Sequence, residues 1–427
     1  MTFRRPDAAH HGLPRLLAGL TAGGQGLSLA EHESVHGPLP SLTSAELIEA
    51  VRLSGLRGRG GADFPTARKL QAVAQRSRVS AVVVNGSETE PASQKDRLLL
   101  ARLPHLVLDG ALLCAEAVGA GEVVVRVPER ASRVLSGLER ALAERRERIP
   151  VSISTGPGSY VSGEESAVIH QLNGGRPLPS FVPPRPFERG LRGRPTLVQN
   201  PETLAQVALV ARFGPAWYRE LGTAADPGSA LVTISGAVGA PGVYELAFGT
   251  PMSDLIEAAG GASEPLQALL VGGYFGTWVR AEAALGLALA REDLRSVGCA
   301  LGSGVVIALG RRACGLAESS RVIEFLAAQS AHQCGPCTYG LRAVADGFAA
   351  LHAGRAGRAL LADLQRWTVE INGRGACHHP NGAVRFAQSA LAAFGDDIES
   401  HRRGPCHGLA AGLPLGPPLE LAGRRGR

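Results

Sequence analysis

The chain has 427 residues, of which 45% are hydrophobic, 19% charged and 4% aromatic, and its formal net charge is +6 at pH 7. This length predicts two or three domains with sizeable cores, and the scarcity of aromatic residues argues against a stacking surface for nucleic acid. No apolar run reaches the roughly 18 residues that span a bilayer, and no signal-peptide pattern opens the chain. We therefore expect a cytoplasmic protein with no membrane insertion, whose seven cysteines form no disulfides.

The first half of the chain alternates predicted helices with short apolar strands. After an arm at 1–40, which we expect to be poorly ordered, Thr43 and Glu46 form a capping-box pattern that opens a helix running to about Leu53. Further elements are predicted along this half: a strand over 79–84, a helix over 104–118, a strand over 122–127 and a helix over 131–146. The alternation predicts an α/β domain with a parallel sheet over 41–225, and such sheets bind ligands at the carboxyl ends of their strands.

The second half of the chain contains two smaller predicted units. Residues 173–201 are rich in Pro, Gly and Arg and should wrap the surface of the first domain. Short strands around one helix predict an α+β domain over 228–312, and helical patterns predict a bundle over 313–400. A tail over 401–427 ends the chain.

The first motif with chemical content is a glycine loop. Gly58, Gly60 and Gly61 lack Cβ atoms, so their backbone N–H groups can approach a phosphate closely. Lys69 adds a point charge, and it is one of only two lysines in the chain, the other being Lys95. The spacing fits neither a Rossmann fingerprint nor a Walker loop. Taken alone, the run is therefore also compatible with a plain glycine-rich connector.

The second motif follows the first predicted strand and contains Asn85, Glu88 and Glu90. Carboxylates at a strand end can accept hydrogen bonds from ribityl or ribose hydroxyls, and a carboxylate near a flavin biases its redox form. A solvated acidic loop is the other interpretation.

The third motif combines two stretches of sequence. Its candidate residues are Tyr160, Gly163, Glu164, Glu165, Asn200 and Thr203. Glycine permits a close backbone approach to a ligand, and the paired glutamates could position a ring or a hydride donor. A glycine turn followed by a capped helix would give the same pattern.

These three motifs, in this order and spacing, resemble the NADH-binding flavoprotein subunit of respiratory complex I and the flavin subunits of NAD-linked hydrogenases and formate dehydrogenases. The resemblance covers about residues 43 to 395. It implies a Rossmann-like FMN domain, then a soluble-ligand-binding β-grasp domain, then a helical bundle that holds a 4Fe-4S cluster.

The resemblance also implies roles for single residues. It implies a cofactor-binding set of Gly58, Arg59, Gly60, Gly61, Phe64, Lys69, Asn85, Glu88, Tyr160, Gly163, Asn200 and Thr203, with Phe64 near the adenine. It places Glu90, Glu164 and Glu165 near the nicotinamide, as the catalytic residues.

The chain departs from the family pattern mainly where the nucleotide would bind. Asp63 and Ala67 stand in place of two glycines of the loop, and Ser87 replaces a family aspartate. Val182 and Arg185 stand where the family has a lysine and a phenylalanine. We therefore expect kept flavin contacts, altered NAD(P)H contacts, and a stand-alone protein in place of a standard complex I subunit.

The cysteines give the fourth motif. Cys334 and Cys337 are separated by two residues, with Cys377 about 40 residues further on. The family uses three cysteines at successive spacings of this kind and then a lone fourth, and Ala331 occupies the first of these positions. We expect an iron–sulfur site with Cys406 as the fourth ligand. Other candidate ligands are His332, His378 and His379, and a structural zinc site or a redox dithiol would also explain the paired cysteines.

The sequence thus predicts a flavin- and iron–sulfur-dependent oxidoreductase. Electrons would pass from NAD(P)H through FMN to the 4Fe-4S cluster and on to a ferredoxin or a thioredoxin-fold 2Fe-2S protein. Two alternatives remain open at this point. One is a ferredoxin-linked flavin electron-transfer protein without NADH activity, and the other is a non-redox protein that binds a small ligand.

Overall fold

The structure is a computed structural model that describes residues 12–21, 24–76, 79–355, 357, 359–404, 408–409 and 411–416. The predicted ligand Cys406 lies outside these residues. The described residues form a parallel α/β domain, a second mixed sheet and a C-terminal group of helices, as predicted.

The first sheet has four parallel strands in the order β3-β2-β1-β4. These strands are β1 (Ser80–Asn85), β2 (Ala120–Pro128), β3 (Val151–Gly156) and β4 (Thr196–Gln199). The helices of this half are α1 (Leu29–His36), α2 (Ser44–Ser54), α3 (Thr66–Ala74), α4 (Lys95–Arg102), α5 (Pro104–Ala117), α6 (Ser132–Ala143), α7 (Glu165–Leu172), α8 (Pro186–Arg189) and α9 (Pro201–Arg219).

Strand β1 is buried on both faces, which explains its unbroken apolar sequence. Val82 and Val84 point into the main core, to which α5 and α9 contribute. Ala81 and Val83 point to the opposite face, into a smaller cluster that includes residues of α7. Because side chains alternate along a strand, one valine-rich run packs into the cores on both faces of the sheet. The carboxyl end of β1 lies at the same end of the sheet as those of its parallel neighbours.

The second sheet has the order β6-β5-β9-β7-β8, and only β5 and β9 pair in parallel. Its strands are β5 (Ser229–Gly236), β6 (Gly242–Ala247), β7 (Leu266–Val271), β8 (Thr277–Arg280) and β9 (Val305–Gly310). The accompanying helices are α10 (Met252–Ala258), α11 (Ala281–Ala284) and α12 (Arg291–Ser296).

The C-terminal helices are α13 (Gly315–Ala328), α14 (Leu341–His352), α15 (Leu360–Ile371), α16 (His379–Ala393) and α17 (Gly395–Arg403). A π-helical turn, Pro336–Gly340, precedes α14 and carries Cys337. The bundle shares a core with the second sheet, because the ring of Trp278 on β8 lies 6.2 Å from that of Phe386 on α16.

The N-terminal arm is more ordered than expected in its described part. Helix α1 has a full capping box formed by Ser28 and Glu31. Further upstream, the carboxylate of Glu245 accepts the backbone N–H groups of residues 15, 16 and 17 at 2.9–3.1 Å. The arm has little apolar periodicity, so its order comes from an acceptor on a distant strand, which local sequence does not reveal.

Among the described residues, no single helix is long and apolar enough to cross a membrane. Helices α4 and α5 meet the length and composition requirement only as a pair, and that pair is bent by 94°.

Candidate functional site

A cavity of about 600 Å³ lies at the carboxyl ends of the first sheet, where all three regions meet. This volume falls within the roughly 300–1,000 Å³ of small-molecule and cofactor sites. Of the predicted site residues, the cavity brings together Arg59, Gly60, Gly61, Asn85, Glu88, Glu90, Tyr160, Gly163, Glu164, Asn200 and Cys377. Gly58, Phe64, Lys69, Glu165 and Thr203 do not line it.

The glycine loop forms one wall of this cavity. Gly61 has φ +100°, a conformation that favours glycine, and a Cβ built on Gly60 would lie 3.3 Å from Asn200. Thr203 fixes the loop from behind, because its Oγ1 accepts the backbone N–H of Arg59 at 2.9 Å. Thr203 therefore supports the loop from outside the cavity.

The side chains of two predicted cations are held by other groups of the protein. The Arg59 guanidinium donates to the Tyr218 hydroxyl at 3.0 Å and to the Ser229 carbonyl at 3.2 Å. Lys69 Nζ donates to the Val198 carbonyl at 2.8 Å and pairs with Glu165 at 3.1 Å. Lys69 and Glu165 thus form an ion pair outside the cavity.

The lysine at the cavity wall is Lys95. Its Nζ lies 2.8 Å from Glu202 and 2.9 Å from Asp96. Burial opposes its charge, but the two carboxylates outweigh burial and raise the pKa of Lys95. Asn200 completes this group, because its amide nitrogen donates to Asp96 at 2.6 Å.

Glu88 lines the cavity, but its carboxylate accepts hydrogen bonds from the first turn of helix α4. Its two oxygens accept the backbone N–H groups of Asp96 and Arg97 at 2.9 and 2.8 Å, and the Ser93 hydroxyl at 2.7 Å. Burial, followed by the nearby Asp96, raises its pKa. Glu88 therefore caps a helix that starts at the cavity, a role that its position in the sequence did not predict.

Glu90 is the carboxylate most suited to proton chemistry. Its Oε2 accepts the Tyr160 hydroxyl at 2.9 Å and the backbone N–H of Tyr274 at 2.8 Å. Burial raises the pKa of Glu90 to about 7, although these hydrogen bonds act in the opposite direction. The group can therefore gain or lose a proton near neutral pH.

The third motif closes the cavity from the side of helix α7. Glu164 caps that helix by accepting the backbone N–H groups of Ser166 and Ala167 at 2.9 and 3.1 Å. The amide of Asn85 donates to the Gly163 carbonyl at 2.9 Å, which ties the second and third motifs together. A Cβ on Gly163 would lie 2.6 Å from the Thr89 hydroxyl, so this close approach requires glycine.

The predicted cluster cysteines lie together beside the cavity. Burial and then the neighbouring thiols of Cys334 and Cys377 raise the pKa of Cys337 to about 12, and Cys377 itself lines the cavity. No disulfide links the six described cysteines. No group of three or more His, Cys, Asp or Glu side chains that could hold a single metal ion is found in the described part of the chain.

Ala331, at the position of the missing cysteine, is 6% exposed and packs in a small apolar cluster with Val161 and Leu178. The remaining described cysteines, Cys114, Cys299 and Cys314, are buried.

Sequence reasoning missed two supports of this site. Arg126 lies fully buried on β2 and donates to the Ser87 hydroxyl at 3.0 Å and the Pro157 carbonyl at 2.7 Å, which joins the second and third motifs. The available signal was that Arg126 is a charged residue flanked by valines within β2. Phe275, whose ring lies 4.8 Å from that of Tyr160, comes from the second domain and gave no signal.

Three family models match the chain in the order of its three regions. Residues 51–209 match the Nuo51 FMN-binding domain, residues 231–273 the SLBB domain, and residues 317–401 the NADH-ubiquinone oxidoreductase-F iron-sulfur binding region. The predicted fold class and its three-part order are thereby confirmed.

Curated relatives are similar over most of their length. The F 2 subunit of the Rhizobium meliloti NADH-quinone oxidoreductase is 32% identical over 396 residues, which cover 88% of this chain and 94% of that protein. The F subunit of the Escherichia coli NADH-quinone oxidoreductase is 32% identical over 393 residues, 88% of each chain. The fold and cavity therefore belong to a flavin-binding component of an oxidoreductase, and this chain is a member of the family of NADH-quinone oxidoreductase F subunits.

Among solved structures, a crystal structure of an NAD+-reducing nickel–iron hydrogenase in the H2-reduced state is similar, with TM-score 0.78 and 32% identity. The match covers 86% of this chain, which spans 64% of the matched hydrogenase chain. The predicted cofactors, FMN and a 4Fe-4S cluster with NADH as the substrate, are confirmed at the level of the family.

The residues present fit a flavin nucleotide. The cavity has a suitable volume, its glycine wall allows close backbone approach, and Asn85 and Asn200 offer amides at the strand ends. For the cluster the fit is incomplete in the described residues, because three thiols are present and Ala331 stands at the first of the four family cysteine positions.

Proposed function

We propose that this chain oxidises NAD(P)H and passes the electrons through FMN and a 4Fe-4S cluster to a protein acceptor. One observation carries the proposal: eight of the twelve predicted cofactor-binding residues and the cluster cysteine Cys377 line the same cavity. When bound, FMN accepts electrons as a pair and releases them singly. The chain's contribution is to hold the donor, the flavin and the cluster close together.

The wall residues would act on the flavin through hydrogen bonds and backbone approach. Gly60 and Gly61 would hold the phosphate against backbone N–H groups, and Asn85 and Asn200 would contact the ribityl or ring edge. Glu90, held by the Tyr160 hydroxyl, would exchange the proton that accompanies NAD(P)H oxidation. Glu164, which lines the cavity, would orient the nicotinamide, whereas Glu165, predicted for the same role, is paired with Lys69 outside the cavity.

The nucleotide end of the site would use exposed residues. Phe64 is 47% exposed and would stack on the adenine. Asp63 adds little negative charge there, because Arg57 and Arg291 each place a guanidinium nitrogen 2.9 Å from its carboxylate. The substitutions at Val182 and Arg185 would then change affinity for the nucleotide while leaving the flavin site intact.

A ferredoxin or a thioredoxin-fold 2Fe-2S protein is the acceptor that we propose. The relatives are named as subunits, and an acidic electron carrier would be attracted to a chain of net charge +6. The cytoplasmic location and the stand-alone state both stay predictions.

A ferredoxin-linked flavin protein without NADH activity is the second candidate. One observation favours it: Phe64 and Glu165 do not line the cavity, so part of the predicted nucleotide site is separate from the flavin wall. In that case electrons would reach the flavin from a protein.

An anaerobic visible spectrum separates these candidates. Protein reconstituted with FMN, iron and sulfide would be recorded before and after NADH, then NADPH, then dithionite. Bleaching of the flavin band by either nucleotide supports the proposal, and bleaching by dithionite alone supports the second candidate. Protein that retains neither flavin nor iron would instead favour the non-redox ligand-binding alternative.

A matched pair of variants sharpens the result. Glu90→Gln should slow nucleotide-dependent bleaching while keeping bound flavin, because the proton-exchanging group is lost. Glu399→Gln, a surface residue of α17 paired with Arg402, should bleach like the unmodified protein. Equal slowing in both variants would contradict the role given to Glu90.

A further inference from the structure

The cluster site lacks one cysteine, and a buried histidine stands beside it. The inference rests on the proposed iron–sulfur function, because it concerns the ligands of that cluster. Cys334, Cys337 and Cys377 supply three thiolates, whereas a 4Fe-4S cluster usually has four ligands. Ala331 packs against Val161 and Leu178 and has no atom that can ligate iron.

We propose that Nδ1 of His379 ligates the fourth iron, so that three cysteines and one histidine hold the cluster. His379 follows Cys377 by two residues, and its backbone N–H donates to the Cys377 thiol. Its ring lies within the same wall as Tyr160 and Phe275, with centroids 5.9 and 5.4 Å away. The backbone of His379 therefore lies against a predicted thiolate ligand, and its side chain is held in the cavity wall that Cys377 also lines.

The hydrogen bonds of His379 set its tautomer. Nε2 lies 2.8 Å from the Leu326 carbonyl oxygen, which can only accept, so Nε2 carries the proton and Nδ1 the lone pair. Nδ1 is buried and has no hydrogen-bond partner among the described residues, and the residue is 4% exposed. Histidines that ligate metals usually donate their other N–H to a carbonyl or carboxylate in this way.

The other histidines near the cysteines lack these features. His332 and His378 are both exposed, so water can satisfy their ring nitrogens. No hydrogen bond from either imidazole to the described residues fixes its tautomer. Of the three, only His379 combines burial with a fixed tautomer and a lone pair without a donor.

Two described residues that flank Cys406 in the sequence contact Cys314. His401 Nε2 is 3.3 Å from Cys314 Sγ, and Gly408 packs against Cys314 as well. Cys314 precedes α13, whereas Cys334 follows it, and a helix of 14 residues is about 21 Å long. Cys406 itself lies outside the described residues, so the variants His379→Ala and Cys406→Ser decide between the two.

A histidine ligand would change the electronic properties of the cluster. Neutral imidazole replaces an anionic thiolate, so the cluster carries one negative charge less and accepts electrons more readily. The cluster would then be a better acceptor for electrons that leave the flavin.

The test is pulsed EPR of the full-length reconstituted protein after dithionite reduction. The unmodified protein should show the 14N coupling of a directly bound imidazole, and labelling with 15N-histidine should convert it to a 15N coupling. His379→Ala should lose the coupling. His378→Ala and His332→Ala, the matched controls, should keep it.

Two further variants keep the test informative if His379→Ala folds poorly. His379→Cys should retain a full cluster at a lower midpoint potential and without the nitrogen coupling. Ala331→Cys should remove the coupling while His379 is still present, because the restored cysteine takes the iron. A midpoint potential in His379→Cys that is not lower than in the unmodified protein would overturn the assignment. A nitrogen coupling that persists in Ala331→Cys would overturn it as well.

Other outcomes also overturn it. These are an unmodified protein without a bound nitrogen, a coupling that survives His379→Ala, or a cluster that is lost in Cys406→Ser but intact in His379→Ala. An unmodified protein that takes up no cluster overturns it as well. The proposed NAD(P)H oxidation would be judged separately, by bleaching of the flavin band, so the two failures are distinguishable.

Discussion

The inner wall of the cavity is built differently from the surface outside it that carries Phe64, Lys69 and Glu165, here called the rim. On the inner wall, the Glu88 and Glu90 side chains are buried and already hold two or more backbone or hydroxyl donors each. On the rim, Phe64 is 47% exposed, and Lys69 and Glu165 form a pair whose side chains are 27% and 37% exposed. The wall is therefore formed before any ligand arrives, whereas rim contacts compete with water.

The largest effect is expected from breaking the inner wall. Glu88→Ala would leave the first N–H groups of α4 and the Ser93 hydroxyl without their acceptor. A loss of roughly 3 kcal/mol in the free energy of unfolding is expected, since each unsatisfied buried group costs about 1–3 kcal/mol. Urea unfolding followed by circular dichroism measures the loss, and gel filtration should show less retained FMN.

A surface glutamate provides the control for that experiment. Glu49 lies on α2 and pairs only with Arg52 in an exposed ion pair. Glu49→Ala should change the free energy of unfolding by no more than about 0.5 kcal/mol. Similar losses of unfolding free energy in Glu88→Ala and Glu49→Ala would contradict the stabilising role given to the wall.

The second prediction concerns the pH dependence that Glu90 gives to the wall. Its pKa is raised from the ordinary 4.5 to about 7 in the folded chain, so between these pH values the folded state binds more protons than the unfolded state. Stability should therefore fall as pH rises from about 4.5 to about 7, by up to about 3 kcal/mol.

Glu90→Gln isolates this contribution. The variant should lose less of its Tm than the unmodified protein between pH 5 and pH 7.5, at matched flavin content. Identical changes in Tm would mean that ionisation of Glu90 does not weaken the folded state.

On the rim, Phe64→Ala should affect the substrate and spare the cofactor. We expect KM for NADH to rise about fivefold, the equivalent of about 1 kcal/mol of stacking, while kcat and FMN content stay unchanged. Phe213→Ala removes a phenylalanine that is 43% exposed on α9 and should change none of these three quantities. Loss of FMN in Phe64→Ala would place this ring on the wall and not on the rim.

The smallest effect is expected from Asp63→Asn. Asparagine tolerates the positive φ of 47° at this position, and the exposed ion pairs that it removes contribute at most about 1 kcal/mol. Because Arg57 and Arg291 already neutralise Asp63, KM for NADH should stay constant. A severalfold fall in KM would show that the Asp63 carboxylate repels the nucleotide.

The elements that were predicted correctly from the sequence are those with strong local patterns. The capping box at Thr43 and Glu46, the apolar run of β1 and the helix α5 were found because period and caps agree within one short window. Strand β4 was missed because its four residues lie within a Pro-, Gly- and Arg-rich stretch, and pairing with β1 decides their conformation.

Side-chain direction marks the limit of sequence reasoning at the site. The sequence indicated carboxylates at the end of β1, but Glu88 turns toward α4 only because Ser93, Asp96 and Arg97 meet it there. The same holds for Lys69, whose partners Val198 and Glu165 are distant in sequence. Such roles depend on tertiary contacts, which no spacing rule contains.

The bond between the N-terminal arm and Glu245 has a consequence for dividing this protein into fragments. A recombinant chain beginning at residue 41 would leave that carboxylate buried on β6, with the Ser229 hydroxyl as its one hydrogen-bond donor in the described part of the chain. The backbone N–H groups of residues 15–17 are thus the main donors to a carboxylate that is buried in the second sheet. Trimming these residues for crystallisation, or fusing a tag close to Arg15, would loosen a domain some two hundred residues away in the sequence.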